Sequence, residues 1–170
     1  MTQRTNCMRR SHRPIGKISI KGFIISSSSS HTAIRRIHIA PCGMNCGVCI
    51  AYLRDKNRCP GCKGDSDTKS PHCVQCSIKN CGKLKASGGK YCFSCGEFPC
   101  KRLRHLDQRY RTKYGMSMID NLRSIEKDGI NTFVTNERRR WKCRHCGNIV
   151  SVHRAECLVC STKKNCLGLL

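Results

Sequence analysis

The sequence predicts a small α+β and irregular fold held together by bound metal rather than by a large apolar core. Three observations point there. The chain has 170 residues with 38% hydrophobic and 5% aromatic content, thin material for a conventional core. Seventeen residues are cysteine, a density that in a short chain implies disulfides or metal. Six pairs share the spacing C-x2-C: Cys46/Cys49, Cys59/Cys62, Cys73/Cys76, Cys92/Cys95, Cys143/Cys146 and Cys157/Cys160. Two thiolates at that spacing chelate one ion from a tight turn, and two such turns complete a tetrahedron. A secreted disulfide framework needs no such run of identical pairs, and "ISIKGFII" is too short, and too interrupted by Lys21, for a signal-peptide core. A reducing, cytoplasmic setting is therefore expected, and no run approaches the roughly 20 apolar residues of a membrane span.

Residues 1–39 read as a disordered basic extension, with eight Lys/Arg, no acidic residue and a serine run from Ser26 to Ser30. The organised sequence begins abruptly after it, as it would if the start codon were assigned too far upstream. Residues 40–100 read as a cysteine-rich metal-binding module. It holds eleven cysteines, Cys42, Cys46, Cys49, Cys59, Cys62, Cys73, Cys76, Cys81, Cys92, Cys95 and Cys100, separated by turn formers such as "CPGCKGDSD" and "ASGGK". Within it, "CVQCSIKNC" and "CFSCGEFPC" repeat the pattern C-x2-C-x4-C at an offset of nineteen residues. Two copies of a half-site predict that they fold face to face.

Residues 101–140 lack cysteine and read as helical. Leu103, Leu106 and Tyr110 share one face, and Met116, Ile119, Leu122 and Ile125 make a second stripe that ends near Gly129, a fitting C-terminal cap. A third, shorter helix is expected from Ile130 through Arg138–Arg140. These stripes are read as packing against the cysteine-rich block. Residues 141–166 form C-x2-C-x10-C-x2-C, with a β-prone stretch from Ile149 to Val152 between the pairs. That is a compact zinc-ribbon pattern, and the glycine after Cys146 suits the turn that closes a thiolate knuckle.

The upstream cysteines leave several groupings open. Eleven is not a multiple of four, so His72 or His105 supplies a further ligand or some cysteines are not ligands. A first grouping takes Cys46, Cys49, Cys59 and Cys62 as one site and Cys73, Cys76, Cys92 and Cys95 as a second. Cys42, Cys81 and Cys100 then remain, and crossed pairings stay open. Cys7 and Cys166 lack nearby partners and read as free thiols. Zinc leads, at roughly three to four ions per chain with the C-terminal site included. An iron–sulfur cluster serving electron transfer is the alternative, since cysteine ligation alone does not choose the metal. Cys42, Cys46 and Cys49 also have the C-x3-C-x2-C spacing of radical S-adenosylmethionine enzymes. Val48 stands where that superfamily usually places an aromatic residue, and the chain lacks the room, about 200 residues, for a β/α barrel.

Other catalytic patterns are weak. Asp65 and Asp67 sit in a turn, "SGGK" lacks the length and Ser/Thr of a phosphate loop, and His12, His31, His38 and His153 read as polar surface residues. Four-thiolate sites close the metal's coordination shell, so nothing requires an enzyme. The formal charge of +23 falls to roughly +15 to +17 if three or four dianionic zinc–thiolate sites form. Such a surface attracts anions, so nucleic acid or a protein partner is expected, with Arg138–Arg140, Lys142 and Arg144 as the first patch.

The motifs "APCGMNCGVCIAYL", "CPGC", "CVQCSIKNC", "YCFSCGEFPCKRLRHLD", "RYRTKYGMSMIDNL" and the closing "WKCRHCG…CLVC" resemble a family of small cysteine-rich prokaryotic proteins, domain of unknown function 3795. The resemblance runs from Ala40 to Cys160 and includes Ala51, Tyr52, Phe98 and Pro99. It implies a metal-binding, cysteine-rich fold without an established activity. Family members begin just before the A-P-C-G motif, which implies that residues 1–38 are extraneous.

Overall fold

The structure is a computed structural model that describes residues 33–164. Expectations for residues 1–32, including His12, His31, Cys7 and the serine run, lie outside the described residues, as does the one for Cys166.

The cysteine-rich half is built from turns and very short helices, because cysteines, glycines and prolines recur too closely for long elements. Single 3-10 turns span Arg36–His38, Cys46–Val48 and Cys92–Ser94. Between them lie α1 (Ile50–Leu53), α2 (Pro71–Val74) and α3 (Gly82–Ala86). Two long helices follow, α4 (Lys101–Tyr114) and α5 (Met118–Arg140). Helices α1, α3 and α4 each start immediately after an extended cysteine, Cys49, Cys81 and Cys100. Among the described residues β-structure is limited to three isolated antiparallel bridges, Ile39 with Asn45, Lys142 with Ile149 and Glu156 with Lys163. The α+β expectation thus reduces to a mostly helical and irregular fold. The β-prone stretch at Ile149–Val152 contributes one bridge rather than a strand.

Residues 33–39 were expected in the disordered extension and instead belong to the folded body. Ile34 and Ile39 are 1% and 0% exposed, and the Ile34 carbonyl accepts the Arg138 Nε–H at 2.7 Å. Their apolar side chains find a core supplied by residues a hundred positions away, which the local basic composition hides.

That core is made by α4 and α5. Leu103, Met116, Met118, Ile119, Leu122 and Ile125 are buried, with Leu106 and Tyr110 packed against them. The stripes are separated by a corner built from several caps. Gly115 ends α4 in the left-handed region at φ 63°, and the Ser117 hydroxyl accepts the Asp120 amide at 3.0 Å to start α5. Asp107 ties both together: its carboxylate accepts the Ser117 hydroxyl at 2.7 Å and the Ile119 amide at 3.0 Å, and pairs with Arg111 at 3.2 Å. Burial alone would raise its pKa, but these donors hold it below the ordinary carboxylate value.

Gly43 fixes the first cysteine loop on this core. It has φ +83°, and a Cβ there would fall 2.4 Å from the Met118 carbonyl. Its own carbonyl accepts the Asn121 side-chain amide at 2.9 Å. Within the α5 span Gly129 takes φ 79° and ψ 158°, outside the helical region, so the span is two helices joined at a kink: one ends at Gly129 and the next begins at Ile130, as expected. No helix among the described residues is long and apolar enough to cross a membrane.

Candidate metal centre

The C-terminal segment folds as two copies of one turn. The Cys143 amide donates to the Asn148 carbonyl at 2.8 Å, and the Gly147 amide donates back to the Cys143 carbonyl at 2.9 Å. Fourteen residues on, the Cys157 amide donates to Thr162 at 2.9 Å and the Ser161 amide to Cys157 at 2.9 Å. The residue after the second cysteine of each pair has positive φ, Gly147 at 78° and Ser161 at 56°. The chain therefore reverses tightly and aims two sulfurs the same way in each copy.

The two copies face each other. Cys143 Sγ lies 3.6 Å from Cys160 Sγ, and Cys146 Sγ lies 3.6 Å from Cys157 Sγ. All four sulfurs lie within 4.8 Å of one another. A metal–sulfur bond of about 2.3 Å makes the edge of a tetrahedron about 3.8 Å, so the four residues can hold one ion. Cys143 and Cys157 are 1% exposed and share a small core with Val150, while Cys146 and Cys160 are half-buried. The Thr162 hydroxyl, 3.3 Å away, and the Thr162 amide hold the Cys160 pKa down to about 6, whereas burial pushes Cys157 up to about 11. Thr162 thus favours the thiolate form of Cys160. The Asn148 side-chain amide, 3.5 Å from Cys146 Sγ, orients a second sulfur.

The cluster is anchored to the body by its flanks. Trp141 is buried, donates its indole N–H to Glu137 at 2.9 Å and accepts the Val150 amide at 2.8 Å. Glu137 also accepts the Asn45 side-chain amide at 2.8 Å, and Asn45 in turn accepts the Gly47 amide at 3.0 Å. This caps the Cys46–Val48 turn. Val48 is fully buried and its carbonyl accepts the Val152 amide at 2.8 Å. An aliphatic residue stands at position 48 because it is a core position against the C-terminal segment.

The eleven upstream cysteines form a looser array. Among the described residues, the C-terminal set alone brings its ligand atoms within 4.8 Å of one another. The turn Cys59–Cys62 wraps Cys46: the Cys62 amide donates to Cys46 Sγ at 3.3 Å, and the buried Lys69 ammonium holds the Cys62 carbonyl at 3.0 Å. Burial raises the pKa of Cys42, Cys46, Cys49, Cys62 and Cys92, with neighbouring sulfurs adding to it; Cys46 and Cys92 reach about 12. Without an ion these thiols keep their protons, and binding one releases them. Neither histidine offered as a further ligand joins a cluster. His72 is exposed, 3.2 Å from the Ser70 hydroxyl, and His105 is exposed on α4.

A family model described as Protein of unknown function (DUF3795) matches residues 38–105. Those residues carry a DUF3795 segment. No curated protein and no solved structure matches the chain. The DUF3795 match takes in all eleven upstream cysteines and ends inside α4. It is shorter than the span over which the motifs resemble the family, and the Cys143–Cys160 cluster lies beyond it.

Two histidines read as surface residues are not. His38 is 3% exposed and hydrogen-bonds Tyr52, and the half-buried His153 sits against Tyr110 and Tyr114 at ring distances of 5.7 and 4.7 Å. The sequence reading also missed Asn45 and Glu137. An asparagine directly before a cysteine turn is a legible capping signal, but its glutamate partner stands 92 residues away.

Proposed function

We propose that this chain is a zinc-built structural and interaction module of the cytoplasm, with a zinc ribbon at residues 141–164 and a basic surface that contacts nucleic acid. The observation that carries this reading is the paired turn geometry at Cys143, Cys146, Cys157 and Cys160, whose sulfur separations of 3.6 Å suit a closed tetrahedral ion. A closed shell of four thiolates leaves no open position for substrate, which favours a structural role.

The basic patch lies next to this site. Arg138 is committed to Ile34, and Arg140 lies over the Trp141 ring at 5.1 Å. Lys142 and Arg144 are exposed on the first knuckle, so they meet phosphate most directly. The test is a binding titration of the zinc-loaded chain with duplex DNA and RNA over a range of salt. A steep fall of log affinity with log salt is expected, with Lys142→Ala and Arg144→Ala each lowering the slope by about 1. A flat dependence, or slopes unmoved by both substitutions, overturns the nucleic-acid reading in favour of a protein partner at the exposed Leu158 and Val159, 44% and 65% accessible. Iron and acid-labile sulfide in protein purified without oxygen would replace zinc by a cluster.

A further inference from the structure

We propose that Cys81, Cys92, Cys95 and Cys100 form a second, separate four-thiolate site for one divalent ion of the zinc class. The assignment rests on the reading of the chain as a thiolate–metal module and names which upstream cysteines act together.

The geometry that carries it is a cavity of about 30 Å³ lined by these four cysteines, with Leu84, Phe98 and Leu103 behind them. Its wall is carbon and sulfur. A water molecule needs two to four polar partners, and thiols are poor ones, so water is a poor occupant. A thiophilic cation is a good one. The volume admits one or two atoms of water size, which suits a single ion.

The surroundings complete the site. The amides of Lys83 and Leu84 donate to Cys81 Sγ, and Arg102 Nη2 approaches it at 3.6 Å. These are the donors a metal-bound thiolate accepts. Arg102 and Lys83, the latter paired with Glu97, place positive charge beside a shell that carries about two negative charges when filled. The backbone presents the ligands from three places. Cys92 and Cys95 flank one 3-10 turn, closed by the Cys95 amide on the Cys92 carbonyl at 3.1 Å. Cys81 and Cys100 precede α3 and α4.

This set cuts across the sequence repeat. The repeat pairs Cys73 and Cys76 with Cys92 and Cys95, whereas the cavity takes only the third cysteine of the first copy, Cys81, and all three of the second. The two partitions make opposite predictions for a double substitution. Zinc per chain is measured on full-length protein, prepared reduced and zinc-loaded and then equilibrated with a chromogenic chelator. Cys81→Ser, Cys92→Ser and the double variant each lose the same single equivalent. A double variant that loses two equivalents, or a Cys81→Ser protein that keeps the zinc Cys92→Ser loses, overturns the site.

Should these variants misfold, the wild-type chain answers by itself. It is titrated with chelator and alkylated at each step, and mass spectrometry reads each cysteine. Cys81, Cys92, Cys95 and Cys100 become reactive together at one chelator concentration; Cys81 reacting at a different one from Cys92 overturns the grouping. Cys143→Ser reports the C-terminal ion independently, so failure of that site and failure of this one are read apart.

Discussion

His38 accepts the Arg35 amide at Nδ1 over 3.1 Å, which leaves its proton on Nε2, donated to the Tyr52 hydroxyl at 2.9 Å. The Nδ1 bond needs the neutral ring, since protonating Nδ1 removes the acceptor. Burial, with repulsion from Arg35 and Arg58, holds its pKa down at about 4 against an ordinary 6.5. The unfolded chain therefore takes up a proton near pH 6.5 that the folded chain refuses until about pH 4, and stability falls with pH across that window. Thermal midpoints of zinc-saturated wild type and His38→Gln, compared between pH 7.5 and 5.5, check this. The wild type is expected to lose more stability on acidification than the variant, and parallel profiles contradict it. The sequence did not disclose this role, because "RRIHI" shows one imidazole among charges while its partner Tyr52 stands 14 residues on.

Helix α5 shows how one residue divides an element. Gly129 holds φ 79° and ψ 158°, a region that side-chain-bearing residues almost never enter. A Cβ there meets nothing within 4 Å, so the conformation rather than crowding selects glycine. The sign of Gly129→Ala follows. In a straight exposed helix alanine would stabilise by about 1 kcal/mol, whereas at this kink it costs about 1–3 kcal/mol. Denaturant unfolding of the variant distinguishes the two, and a gain in stability would mean that the helix runs straight. The apolar stripes of α4 and α5 were legible because local spacing of three and four residues encodes them. The corner between them was less so, since it depends on Asp107 reaching Ser117 and Ile119 ten and twelve positions later.

At 38% hydrophobic content the chain has little apolar matter, so a bound ion would weigh heavily in its stability. The long helices bury one continuous core that also takes in Ile39, Val48, Ile78 and Leu84, but the segments around the cysteines are otherwise joined by turns. Structural zinc at thiolate sites contributes about 10–16 kcal/mol of binding free energy near pH 7, comparable to the full stability of an ordinary domain. Chelation under reducing conditions is expected to lower the thermal midpoint sharply and to strip the order of the 41–100 and 141–160 segments. Unchanged circular dichroism and an unchanged midpoint would show that the apolar core suffices. The C-terminal cluster was readable from sequence because both knuckles lie close together and each closes within itself. The upstream cysteines were not, because many partitions of eleven share the same spacings and only three-dimensional proximity separates them.

The body is closed by bonds between residues made far apart in time. Arg138 reaches Ile34 across 104 residues, Glu137 reaches Asn45 across 92, and the Val152 amide meets the Val48 carbonyl. During synthesis the first cysteine turn leaves the ribosome long before any of these partners exists. Its buried asparagine and carbonyl must wait, hydrated, until the final segment emerges. A stalled or truncated nascent chain thus presents an open array of thiols with no seal.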